Sequence, residues 1–208
     1  MNGKKITALL VSALLAVLTA GSALAATVEP NPGKIDIQHL EDRFVTANVE
    51  YKGNGIAALT LLENEQYDAE AVKAIQVGDV IRSEGEEITV ETLAWDGPDL
   101  RINEGTDHEV LLCDAGNGVF ERVEEDDRVP QLEAGTLECE ILPYMFLLDE
   151  VDAVTGDILD TPALRSGDEM ISLLEKGDGP SFAVENVHVL FDQNNQPRLF
   201  WRYYSSAQ

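Results

Sequence analysis

YDAEAVKAIQVGDVIRSEGEEITVETL, from Tyr67 to Leu93, is the stretch on which the fold assignment turns. Asp68 precedes Ala69, Val72 and Ile75, which fall on one face at helical spacing. An aspartate in that place caps a helix, because its carboxylate accepts an N–H of the first turn. Gly78 suits the exit from that helix near Gln76. Val80-Ile81 and Ile88 to Leu93 then read as the arms of a hairpin, turned at Glu84-Gly85. Asp79 is assigned to the turn amides. A short helix feeding a tight hairpin is a fold signal and carries no chemistry.

The pattern continues outward. Upstream, Phe44 to Tyr51 and Ile56 to Leu62 flank Lys52-Gly53-Asn54-Gly55, a second hairpin. Downstream, Trp95 to Pro98 is a turn and Leu100 to Ile102 a short strand. Glu109 to Cys113 and Val119 to Val123 flank a glycine-rich turn, a third hairpin. Hairpins at this density predict a small barrel-like sheet over residues 36–128. Glu124 to Asp127 marks a boundary, and residues 129–208 read as an α+β portion. Pro143 argues against a central strand across Ile141 to Leu148. Ser166 and Glu169 have capping-box spacing ahead of a helix ended by Gly177. Ser181 to Phe191 and Arg198 to Tyr204 form a closing hairpin. The expected class is α+β, mainly antiparallel β, with two short helices.

Lys4 and Lys5, an apolar run from Ile6 to Leu18, and Ala23-Leu24-Ala25 have the make-up of a secretory signal peptide over residues 1–25. The run is too short for a comfortable membrane span, so no stable membrane insertion is expected after cleavage. Residues 26–35 read as a flexible leader. The 208-residue chain has formal charge −25, and the signal segment adds two lysines and no acid. Such a chain repels nucleic acid and anionic lipid, which both need Lys or Arg to displace counterions. It suits solubility outside the cell, bound cations or a cationic partner. Two cysteines in an oxidising compartment allow one disulfide, Cys113–Cys139, if their Cα atoms come within reach.

The signal, the YDAEAV helix, the AIQVGDVI hairpin, the LRINEG segment and the closing NVHVLFD…LFWRYYS hairpin together resemble secreted bacterial proteins of uncharacterised function. The resemblance implies an extracytoplasmic location and a β-rich fold. It transfers no activity.

Candidate chemistry is sparse. Cys113 and Arg122, with His39 upstream, resemble part of a sortase site, where a cysteine attacks a peptide carbonyl and an arginine steadies the oxyanion. Val110-Leu111-Leu112 departs from that family's threonine-bearing run before the cysteine. Asp149, Asp152, Asp157 and Asp160 offer oxygens for calcium, but Val151 and Ala153 occupy two of the places an EF-hand requires. Asp192 to Gln196 follows the loop pattern for five residues, then meets Pro197 in the glycine place. His39, His108 and His188 lack zinc-site spacing. No nucleophile elbow, P-loop or dinucleotide fingerprint occurs, so neither a catalytic residue nor a cofactor is assigned.

The final strand is the best binding candidate. Leu199, Trp201 and Tyr203 point to one side, and Phe200, Arg202 and Tyr204 to the other. One side is expected in the core. The other is a stacking surface for sugar or peptide, with Arg198 and Arg202 as cations beside Trp201 and Tyr203. The functional expectation is a secreted, non-catalytic module with a binding or structural role at the cell exterior, its partner an extracellular ligand or protein. The alternatives are a Cys113-dependent hydrolase or transpeptidase and a calcium-stabilised module.

Overall fold

The computed structural model describes residues 25–30, 35–124, 128–152, 155–176 and 187–203. The expected signal peptide up to residue 24, the EEDD run beyond Glu124, Gly177 at the expected helix end and the first arm of the closing hairpin up to residue 186 lie outside these residues, as does Tyr204. The described chain is mostly antiparallel β with two short helices, in three open sheets of three, five and seven strands.

The seven-stranded sheet draws on both ends of the sequence. β2 (Phe44–Gly53) and β3 (Ile56–Asn64) form a hairpin whose turn, Asn54-Gly55, has φ of 53° and 76°. Positive φ at both central residues matches the turn to the strand twist, which is why Asn-Gly stands there. The remaining strands are β11 (Gln131–Glu140), β12 (Phe146–Val151), β13 (Ile158–Ser166), β14 (His188–Phe191) and β15 (Pro197–Arg202). Their order is β11-β3-β2-β14-β15-β12-β13, antiparallel at each step except β12–β15. One face buries Val45, Ala47, Leu59, Leu61, Leu147, Val189 and Phe200. Helix α2 (Gly167–Lys176) contributes Met170 to this core, with Ile171, Leu173 and Leu174 packed against it. Its capping box is formed. The Ser166 N–H donates to Glu169 Oε2 at 2.8 Å, and the Glu169 N–H reaches Ser166 Oγ at 3.4 Å. Chiefly because of that backbone donor, the Glu169 carboxyl titrates below its usual range.

The Tyr67–Leu93 stretch builds the second core. β4 (Gln66–Asp68) enters helix α1 (Ala69–Ala74), where Asp68 accepts from the N–H groups of Glu70 and Ala71, each at 3.0 Å. β5 (Val80–Ser83) and β6 (Glu86–Thr89) make the hairpin, and β7 (Leu93–Asp96), β8 (Asp99–Ile102), β9 (Val110–Gly116) and β10 (Val119–Val123) follow. The five-stranded order is β4-β10-β9-β8-β7. Tyr67, Val72, Ile81, Leu100, Leu112 and Phe120 are buried together.

Four expectations need correction. The arm Ile88 to Leu93 is broken after Thr89. Asn103, buried at φ 55°, accepts from the Glu91 and Thr92 N–H groups and donates to the Thr89 carbonyl, so its side chain stands in for a strand at that corner. The leader at 26–35 contains a strand: β1 (Thr27–Val28) pairs in parallel with β5, and Val28 is buried. β2 and β3, grouped by sequence with the 36–128 unit, pair instead with β14 and β11 of the C-terminal portion. Among the described residues the remaining strands of 36–128 split into two open sheets and close no barrel.

Asp79 ties the organising stretch together. Its carboxylate accepts from the Gln76 N–H and from the Ala26 N–H, both at 2.8 Å. Asp79→Ala is expected to lower stability in urea unfolding by about 1 kcal/mol, the value of a lost side-chain cap. It should leave any binding at the seven-stranded sheet intact. Unaltered stability together with lost binding would mean that Asp79 serves a ligand.

Candidate functional site

The chain's last strand separates the four aromatic-strand candidates. Phe200 and Arg202 face the core, and Arg202 is only 2% exposed. Its guanidinium donates to both carboxylate oxygens of Asp149, from Nε at 2.8 Å and Nη2 at 2.9 Å, and to the Val151 carbonyl at 3.0 Å. Arg165 reaches the same carboxylate at 3.2 Å. Arg202 is therefore a structural ion-pair partner and not the ligand cation expected. The correction also removes Asp149, fully buried, from the calcium set. Arg198 is exposed, with its guanidinium 4.8 Å above the Tyr144 ring.

Trp201 and Tyr203 lie on the opposite, outer face. His188 is the register partner of Trp201 across β14–β15, and Thr46 is the partner of His188 on β2. The His188 ring stacks on Tyr203 with centroids 4.6 Å apart and planes 10° from parallel. Trp201 meets His188 at 5.9 Å, Tyr203 at 6.1 Å and Phe44 at 6.4 Å, and its indole N–H donates to Glu150 at 3.1 Å. Aromatic pairs in these offset and edge arrangements add to what area burial alone provides. Burial holds the His188 ring below its ordinary value of 6.5, so the neutral imidazole facing Thr46, Trp201 and Tyr203 is the stable form.

The register extends this cluster into a surface. Phe44, Leu190, Leu199 and Phe146 form one row across β2, β14, β15 and β12; Trp201, Leu148 and Leu164 continue the next. Phe44 is 54%, Phe146 44% and Leu164 66% exposed. Sequence reasoning missed Phe44, His188, Phe146 and Leu164. They come from four strands, and only the long-range register places them on one face. Their signal in the sequence is a lack of alternation, since FLL and HVLF carry apolar residues at consecutive positions.

The cysteine arrangement does not assemble. Cys113 is opposite Glu121 in the β9–β10 register, and Arg122 is opposite Leu112. Adjacent positions of a strand face opposite ways, so the thiol and the guanidinium project from different faces. Arg122 instead ion-pairs with Glu84 and lies 3.7 Å from buried Glu65. His39 sits in the loop before β2 beside Asp36 and Glu41. Cys139 is on β11 of the other sheet, and no Cys113–Cys139 disulfide forms. Burial pushes the Cys139 thiol up to about 11, which leaves it unreactive at neutral pH.

The acidic loops satisfy themselves. Asp152 accepts from the Thr155 N–H, and Asp192 from the Asn194 and Gln196 N–H groups. Among the described residues no three His, Cys, Asp or Glu side chains gather as a metal site would require. An open groove of about 500 Å³ runs over the five-stranded sheet beside Arg101, Leu111 and Arg122. Its Arg101 is held by Glu109 at 3.1 Å. No protein-family model matches the chain, and comparison with curated proteins and with solved structures gives no match.

Two outcomes follow from this geometry. Arg202→Met or Asp149→Leu alone strands a buried charge and is expected to cost about 3–5 kcal/mol in denaturant unfolding. The double variant should recover part of that loss, whereas additive losses would show that the pair is not coupled. His188 has a depressed folded pKa, so the unfolded chain takes up its proton first as pH falls below 6.5. Its contribution to stability is complete above that pH and is lost as pH falls through the lower folded value. Unfolding of the protein and of His188→Gln between pH 7 and about pH 5 should therefore show a shallower decline in the variant. Parallel curves would remove His188 from the pH response.

Proposed function

We propose that the protein is a non-catalytic, extracytoplasmic binding module whose contact surface is the outer face of the seven-stranded sheet, centred on Trp201. The observation that carries the reading is the joining of Trp201, Tyr203, His188 and Phe44 with exposed Phe146 and Leu164 on one sheet face, opposite the face that the core of the described residues covers. A contiguous exposed apolar patch rimmed by polar residues is the ordinary mark of an interaction surface. Tryptophan and tyrosine at its centre are the residues that dominate binding energy at such surfaces. The extracytoplasmic part of the reading rests on the basic start, apolar run and Ala-Leu-Ala of residues 1–25 and on the acidic composition. A binding role also agrees with the separation of Cys113 from Arg122, which leaves the sharpest enzymatic alternative without its paired groups.

A random peptide-display selection against the immobilised protein tests this. The selected peptides should compete with one another. They should lose binding to Trp201→Ala and Phe146→Ser proteins that keep the parent's circular dichroism. The Trp201 change itself should lower stability by only about 1–2 kcal/mol, since it removes edge contacts and no core. Peptides that bind both variants unchanged, or that protect the groove beside Arg101, would overturn the assignment.

A further inference from the structure

The outer face of the seven-stranded sheet has two halves of different chemistry. Over β14, β15, β12 and β13 it presents Leu190, Leu199, Leu148 and Leu164 around the aromatic cluster. Over β2, β3 and β11 the Trp201–His188 row continues through Thr46 and buried Leu62 to Glu133, while the next two outward rows carry Asn48, Thr60 and Thr136, then Glu50, Ala58 and Glu138; Glu133, Thr136 and Glu138 are exposed. The apolar strip thus gives way, across β2 and β3, to carboxylates on the β11 edge of the same face.

We infer that the partner is a basic, amphipathic polypeptide segment, with its apolar side chains on the Trp201–Phe146 strip and its Lys or Arg side chains over Glu133 and Glu138. This rests on the reading of that face as the contact surface and adds the partner's chemistry. Charge complementarity selects it. The chain holds 39 Asp and Glu against 14 Lys and Arg, so a second copy would bring further negative charge to an acidic border. The one lysine of β2, Lys52, is engaged with Glu50 at 2.6 Å. A saccharide would stack on the rings and leave the aliphatic positions Leu148, Leu164, Leu190 and Leu199 without contacts suited to them. A polypeptide with apolar residues on one side covers them all.

The test uses the full chain carrying Trp95→Phe, so that indole emission reports Trp201 alone. The probes are a leucine–lysine amphipathic peptide, its leucine–glutamate counterpart and a neutral oligosaccharide. The leucine–lysine peptide should shift the emission, bind more weakly as salt rises, and bind Glu133→Gln/Glu138→Gln severalfold more weakly. Trp201→Ala retains the net charge and should lose about 10-fold or more in affinity by calorimetry, as a central aromatic contact does. A Trp201-dependent leucine–glutamate peptide or oligosaccharide that binds as well would overturn the partner chemistry and leave the face assignment standing. Leucine–lysine binding of equal strength to Trp201→Ala, or no emission shift with any probe, would overturn both.

Discussion

The buried pair between Asp149 and Arg202 holds the seven-stranded sheet together at its one parallel step. Two ions withdrawn from water cost several kcal/mol each unless geometry and further hydrogen bonds compensate. Here the guanidinium meets both carboxylate oxygens, the Val151 N–H donates to Oδ1 at 3.2 Å, and Arg165 Nε donates to Oδ2 at 3.2 Å. Asp149 and Arg202 are also register partners across the parallel β12–β15 seam. On one side of β15 stand β14, β2, β3 and β11; on the other stand β12 and β13. Among the described residues, β15 is the strand that joins these two groups. A one-residue slip at the seam would part the two charges inside the core, so the pair fixes the register as well as the contact.

A second buried carboxylate marks the other crossing of the chain. Between β3 and β4 the backbone leaves the large sheet for the second core, and at β11 it returns. Glu65 lies at that point, fully buried, with its N–H on the Pro130 carbonyl and its own carbonyl accepting from Arg122. Its side chain takes the Tyr67 hydroxyl and the Glu84 N–H. Burial, then the Glu65 hydrogen bond, raise the Tyr67 pKa, so the phenol keeps its proton and remains the donor. Both crossovers are therefore set by polar groups with specific partners in a core that would otherwise accept several packings.

What could be read in the sequence was local. Asp68 as a cap, Gly78 with φ 97°, the Ser166–Glu169 capping box and the turns at Asn54-Gly55, Glu84-Gly85 and Asn117-Gly118 all depend on neighbours within a few residues. What could not be read was pairing over long separations. Nothing adjacent to Arg202 announces Asp149, so an arginine on an aromatic strand reads as a surface cation. Likewise, Phe44 reads as part of the first hairpin's own unit, because the partners of β2 on β14 come more than 140 residues later. Trp201 and Tyr203 were recognisable as one-sided, but the companions that make them a surface were not.

The seven-stranded sheet contains its own comparison for that surface. In β2 and β11 the outward positions are largely Thr, Asn and Glu, the alternation of a sheet with one wet face. In β12, β14 and β15 the outward positions Phe146, Leu148, Leu190, Leu199 and Trp201, beside His188 and Glu150, are mostly apolar, while the inward positions Leu147, Val189 and Phe200, beside the Asp149–Arg202 pair, are mostly apolar too. Strands apolar on both sides are the pattern of sheets covered on both faces. The inner cover is α2 with Leu40, Ile141 and Met145. The outer positions share their backbone, twist and solvent with the polar half beside them. Sheet propensity alone would accept Thr or Tyr at those places as readily as Phe or Leu. The difference between the two halves is therefore one of side-chain choice on a common backbone, and it is what supports the proposed contact surface on the apolar half.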